Sequence, residues 1–291
     1  MSAGPSEGGE APAAAFSAAF APRWAGGWTL ARWLFTLAAL DTHVARVASV
    51  RDALAAPGLV LSSGPSRIAD HVLLGAPGAW ALWGAGLVGL IGLGAGGRTA
   101  RPGLILWFVS HAALLVALGL NVRAPERLMV FVAITLLFGP LHERGLTQKA
   151  RSPAPRWFLL VCFGALYGST GWMKLLEEPA WWTGEALRYD LVDRHHAGGA
   201  LAAWLSGQPA LCRVVSWGTM AFEAGFPLLI GVGALTPWLL SVGVVMHLTI
   251  GMLMDVGPLG TVALSMYPVL LDPDAARRLY ERARIAWVRR R

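Results

Sequence analysis

Apolar residues in this chain fall in runs of about 14 to 21, broken by Arg, Pro and Gly, the length a hydrocarbon core of about 30 Å asks of a crossing helix. Hydrophobic residues make up 55% of the 291 positions and charged residues 14%, against roughly 25% charged in a soluble domain. A chain so poor in polar groups cannot cover itself in water. The pattern predicts an all-α, polytopic membrane helix bundle.

Eight runs are counted. The first starts near Trp28 and carries Arg32, Asp41, His43 and Arg46; the others cover residues 78–97, 103–120, 128–141, 157–175, 211–232, 237–254 and 258–271. His111 lies in the third, Lys174 ends the fifth, Glu223 lies in the sixth and His247 in the seventh, with Asp255 just beyond it. Residues 177–209 form a Trp-rich connection of mixed charge, too polar to span. Residues 1–27, opening in Ala, Gly, Pro and Ser, read as a disordered cytoplasmic tail; 28–272 form the transmembrane domain, and 273–291 a basic amphipathic C-terminal helix.

The net charge is +7, yet the basic residues sit between the apolar runs and at the C-terminus, as orientation and headgroup anchors do. Nucleic acid is not an expected partner; the lipid bilayer is. Lys and Arg concentrate on the side that holds both termini, which the positive-inside rule places in the cytoplasm. Lys174, the Trp-rich connection and Asp255 are then expected on the extracytoplasmic side of a cell membrane. Cys162 and Cys212 have no redox or metal spacing and read as free, packed thiols.

Ionisable residues inside spans are rare because they are costly in lipid. Lys174 shares a helical face with Tyr167, Thr170 and Gly171, its i−7, i−4 and i−3 neighbours. Two roles are open to it: snorkelling its ammonium to the headgroups, or acting as a base, since burial disfavours an ammonium ion. Glu223 needs a cationic partner or a proton. His247, His111, Asp41 and Arg32 read as interior pairing residues or as members of a site. His195 and His196 are adjacent and point apart, so no metal site is expected, and there is no phosphate-binding glycine loop, serine elbow or zinc-helix motif.

The stretch Tyr167-Gly-Ser-Thr-Gly171-Trp-Met-Lys174-Leu175, followed by Trp181-Trp182-Thr-Gly184-Glu-Ala186-Leu187, resembles the signature of the horizontally transferred transmembrane (HTTM) domain family. That family is similar to the membrane part of vitamin K-dependent γ-carboxylase. Glu223 with Pro227, His247, and a short last run ending Leu-Leu-Asp-Pro agree with it. The resemblance implies that Lys174 is the base that deprotonates a quinol such as vitamin K hydroquinone. It also implies that His247 lies near the reacting centre, and that Tyr167, Trp181, Trp182, Gly184 and Glu223 line the substrate. Only residues 272–291 follow the last run, so the carboxylase's large extracytoplasmic domain is expected to be missing. One branch of the family, the SdpB-like proteins, is linked to maturation or export of a peptide toxin, which gives a second expectation: a non-catalytic protein acting on a peptide or small protein, its polar residues structural. A solute transporter is disfavoured, since no repeated half with paired broken helices is visible.

Overall fold

The computed structural model describes residues 23–48, 50, 76–117, 124–143, 146, 150–193 and 198–288. Of the tail predicted over residues 1–27, residues 1–22 lie outside the described residues, whereas Arg23–Trp24 form a short strand and the first helix already begins at Gly26, where the chain packs on the bundle. Arg51, Arg67, Arg123, Arg144, Lys149, Arg194, His195, His196 and the last three arginines also lie outside the described residues.

The described residues form helices α1 (Gly26–Ala45), α2 (Ala76–Ala95), α3 (Ala100–Ala117), α4 (Ala124–Phe138), α5 (Ala154–Leu176), α6 (Pro179–Thr183), α7 (Glu185–Val192), α8 (Ala200–Ser206), α9 (Pro209–Leu229), α10 (Thr236–Leu253), α11 (Leu259–Ser265), α12 (Tyr267–Leu270) and α13 (Pro273–Val288). The all-α expectation holds except for one small antiparallel pairing of β1 (Arg23–Trp24) with β2 (Ala150–Arg151). Proline stands in the first turn of α5, α6, α9, α10 and α12. There the missing N–H costs nothing and the fixed φ favours the helix.

Among the described residues, three helices are long and apolar enough to cross a membrane: α2, counted from Pro77, α5 and α10. The other runs predicted to span are helical where described and, apart from α3, whose run continues past the described residues, they fall short of that standard for visible reasons. α1 carries Arg32, Asp41 and His43, α9 carries Arg213 and Glu223, α4 has 15 residues, and the last run is split into α11 and α12.

The short α11 occupies the middle of the bundle. Val262, Ala263 and Ser265 on it, and Met266 and Tyr267 just after it, are buried against α1, α4 and α10. Large apolar residues such as Leu37, Ile91, Val161, Leu228, Val245 and Met252 instead face outward, an arrangement that water penalises and acyl chains do not. Without a hydrophobic force between helices in lipid, close contact relies on small residues. A Cβ on Gly89 would fall 2.7 Å from the Gly103 carbonyl, which brings α2 against α3.

Long polar side chains tie distant ends together. Arg32 Nη1 donates to the carbonyls of Leu141 and Glu143 at 2.7 and 2.6 Å, and Arg156 donates to those of Val269 and Leu270 at 3.1 and 2.9 Å. Arg151 pairs with Glu143 beside β2.

Candidate functional site

On α5, Phe163, Gly164, Tyr167, Gly168, Gly171 and Lys174 recur at spacings of one, three and four, so they form a stripe along one face. The three glycines let α9 lie directly on this stripe: Gly164 and Gly168 face the ring of Pro227, and Gly171 faces the backbone of Glu223 and Ala224. The helices run antiparallel, and this register puts Glu223 beside Lys174.

Lys174 Nζ donates to both carboxylate oxygens of Glu223, at 2.8 Å to Oε1 and 2.6 Å to Oε2. The two side chains are 14% and 11% exposed, so the lysine is turned inward to a carboxylate rather than out to headgroups. The Trp181 ring, on α6, lies 4.6 Å from Nζ at its centroid, a cation–π contact that adds to the pair where water is scarce. Trp181 is itself fixed by its Nε1–H, which donates to Glu178 Oε2 at 2.7 Å. It also lines a shallow cavity of about 550 Å³ with Glu178, Glu185, Tyr189 and Asp190.

A second constellation lies further along the same stripe. The Tyr167 hydroxyl is 2.6 Å from His247 Nε2 and 3.2 Å from the Tyr267 hydroxyl, and all three side chains are buried. Gly243 on α10 leaves room for the Tyr267 hydroxyl, and Gly260 on α11 packs against His247. Phe222 and Phe226 enclose the Tyr167 ring, with centroids 5.4 and 4.5 Å away. Since Phe222 precedes Glu223, one turn of α9 links both constellations.

The predicted residues thus divide. Lys174, Glu223 and Trp181 meet, and Tyr167 meets His247. Trp182 is about half exposed and turned away, donating to the Leu175 carbonyl at 2.9 Å. Gly184 takes φ +82° to end α6, and a Cβ there would run into the Arg213 backbone; the left-handed turn favours glycine, so the role seen is to shape the joint. Asp255 and Asp41 are exposed. Cys162 and Cys212 are free thiols. Among the described residues, no three His, Cys, Asp or Glu side chains are grouped to hold a metal ion.

Tyr267 was not among the residues singled out in the sequence, although a tyrosine between apolar residues in the last run is a usable signal. A further buried cluster was also missed as a unit. Arg46 Nη1 donates to His111 Nδ1 at 3.1 Å and Nη2 to Glu126 Oε1 at 3.0 Å, while Trp107 stacks on His111 at 4.9 Å. His43, one turn before Arg46, pairs with Trp83 through Nε2 to the Trp83 carbonyl at 2.8 Å.

Comparison with protein-family models, with curated proteins and with solved structures finds no match for this chain. What the site can do therefore rests on its own chemistry. It offers a paired ammonium and carboxylate that can exchange a proton, and an imidazole–phenol–phenol row, with Tyr167 in the middle, that can pass one along hydrogen bonds of 2.6 and 3.2 Å.

Proposed function

We propose that this is a multi-pass membrane protein whose Lys174–Glu223 pair takes a proton from a lipid-soluble substrate, of which a quinol such as vitamin K hydroquinone is the type implied by the family resemblance. In this reading α1 to α5, α9, α10 and the α11–α12 unit cross the bilayer, both termini are cytoplasmic, and α6 to α8 cover the outer end of the site. The excess of Arg and Lys on the terminal side supports that orientation. The observation that carries the chemistry is the inward pairing of Lys174 with Glu223 at 2.6 Å under the Trp181 ring.

The proton balance is simple. Within the pair, the ammonium passes a proton to the carboxylate and leaves a neutral amine beside a neutral acid, a state that low dielectric penalises less than separated charges. The amine then takes the proton of a hydroquinone O–H, giving a phenolate beside an ammonium, with the first proton still on Glu223. One proton has moved from substrate to pair. Tyr167, His247 and Tyr267 supply hydrogen-bonding groups deeper in the bundle, next to where such a ring would lie.

A second reading has its own support. The pair is complete without a ligand and sits one turn from the Gly171 contact, so it also serves as a staple between α5 and α9; a non-catalytic protein assisting a peptide needs no more. The experiment that separates the readings uses the purified full chain in lipid nanodiscs with vitamin K hydroquinone, following quinol consumption in air, together with mass spectrometry of co-purifying quinones. Consumption lost in Lys174→Ala and in Lys174→Arg supports the base, because a guanidinium stays protonated. No consumption above empty discs and no co-purifying quinone would leave the staple.

A further inference from the structure

Helix α8 is apolar on both its faces. Ala202 and Leu205 pack inward against Leu187, Cys212 and Leu253, while Leu201 and Trp204 stand outward, 48% and 57% exposed. The start of α9 continues this surface, where Leu211, Val214 and Trp217 are exposed, and Trp182 joins it from α6. Two of the indoles have no polar atom left to offer: Trp182 Nε1–H donates to the Leu175 carbonyl at 2.9 Å, and Trp217 Nε1–H to the Trp182 carbonyl at 3.0 Å. They present only hydrocarbon ring to their surroundings, and a helix apolar all round is not one that water surrounds. The neighbouring α7 differs, exposing Glu185 and Tyr189, with Glu185 paired to Arg188 at 2.8 Å. An apolar and a charged flank in one layer are the composition of a boundary.

The height of the layer agrees. From the exposed Trp157 to Lys174, α5 rises about 26 Å, and from Glu223, level with Lys174, the antiparallel α9 rises about another 9 Å to Trp217. The two indole levels are thus about 35 Å apart, more than the hydrocarbon core of about 30 Å and less than the about 40–45 Å of the whole bilayer. Tryptophan gathers in those two boundary zones. Arg213, exposed among the apolar residues, stands at headgroup height, where its stem covers apolar surface and its charge meets phosphate.

We propose that the outward surface of α8, with Trp182 and the first turns of α9, lies in the outer leaflet at the boundary between headgroups and acyl chains. Lipid, rather than water, is the partner of this flank, and the layer over the Lys174 site is an interfacial collar. The assignment rests on the membrane reading above and holds whether or not Lys174 is a base.

The test uses the full chain, free of Cys162 and Cys212, in nanodiscs of phosphatidylcholine. Leu201→Cys, Trp204→Cys and Val214→Cys each carry a nitroxide label, with Val161→Cys and Val245→Cys, exposed within α5 and α10, and Tyr189→Cys on α7 as references. Spin resonance then compares collisions with oxygen, which concentrates in lipid, and with a water-soluble nickel chelate. The oxygen-to-nickel ratio at 201, 204 and 214 should be several times that at 189, yet below those at 161 and 245. The Leu201 and Val214 side chains donate no hydrogen bond, so these two variants carry the test should Trp204→Cys fail to fold. Ratios matching position 189 would make the layer a lid standing in water, and ratios matching position 161 would sink it into the hydrocarbon; either overturns the assignment. Water-like ratios at 161 and 245 as well would show that the membrane reading itself has failed.

Discussion

Gly171 and Glu223 are in backbone contact: a Cβ on Gly171 would lie 2.6 Å from the Glu223 carbonyl carbon, one helical turn from the point where Glu223 reaches Lys174. The ion pair therefore depends on a glycine. Gly171→Ala should push α5 and α9 apart and cost about 1–3 kcal/mol, as overpacking does. A thermal melt in detergent that matched wild type would show that the contact is not tight.

Removing one member of the pair leaves the other charged and enclosed. Lys174→Met or Glu223→Leu should each destabilise by about 3–5 kcal/mol, whereas the double variant should recover much of the loss. Denaturant unfolding of the four proteins makes the cycle. If the double variant also retains full activity in vivo, the pair is a staple and the base assignment falls.

The Tyr167 hydroxyl serves two neighbours, and the Tyr267 hydroxyl one of those contacts. Tyr167→Phe strips both His247 Nε2 and the Tyr267 hydroxyl of that partner and should cost about 1–3 kcal/mol. Tyr267→Phe, which leaves the 2.6 Å bond intact, should cost less. A reversed order in thermal melts would mean that the row is connected differently.

Arg46 holds both a histidine and a carboxylate in the enclosed cluster at the end of α1. Arg46→Met should therefore be as damaging as breaking the Lys174 pair, by about 3–5 kcal/mol, and Glu126→Gln, which keeps a hydrogen-bond acceptor but leaves the buried guanidinium without its counter-charge, should also destabilise, by less. Expression and melting of the two variants test this; an innocuous Arg46→Met would show that the cluster is open to water.

Sidedness can be read with single cysteines on a background free of Cys162 and Cys212. Tyr189→Cys, exposed on α7, should label from outside intact cells, and Arg278→Cys on α13 only after lysis. Labelling of both from one side would contradict the proposed topology.

Much of the site was legible because polar residues stand out inside apolar runs: Lys174, Glu223 and His247 are conspicuous for that reason alone. Their partners were not legible, since Lys174 and Glu223 are 49 positions apart and Arg46 and Glu126 are 80 apart, and only the packing register decides who meets whom. Trp181 and Trp182 looked equivalent in the sequence. On a helix, neighbours point about 100° apart, so only Trp181 faces the lysine. The helical class followed from the runs, while their number as spans did not. Charged residues in α1 and α9 and the break between α11 and α12 blur hydropathy where the bundle buries polar groups.

Pro227 interrupts α9 from within. A proline offers no N–H, so the carbonyl four residues earlier loses its rung of the helix, and that carbonyl belongs to Glu223. The residue whose carboxylate grips Lys174 therefore sits on a crease. Below it, Pro227 is pinned against Gly164 and Gly168; above it, α9 carries α6 and α7 packed on its side. Any tilt of that upper arm turns about Glu223 and stretches the grip on Lys174 before it disturbs anything deeper, which makes the ion pair the latch of a lever whose handle is the tryptophan-rich layer outside.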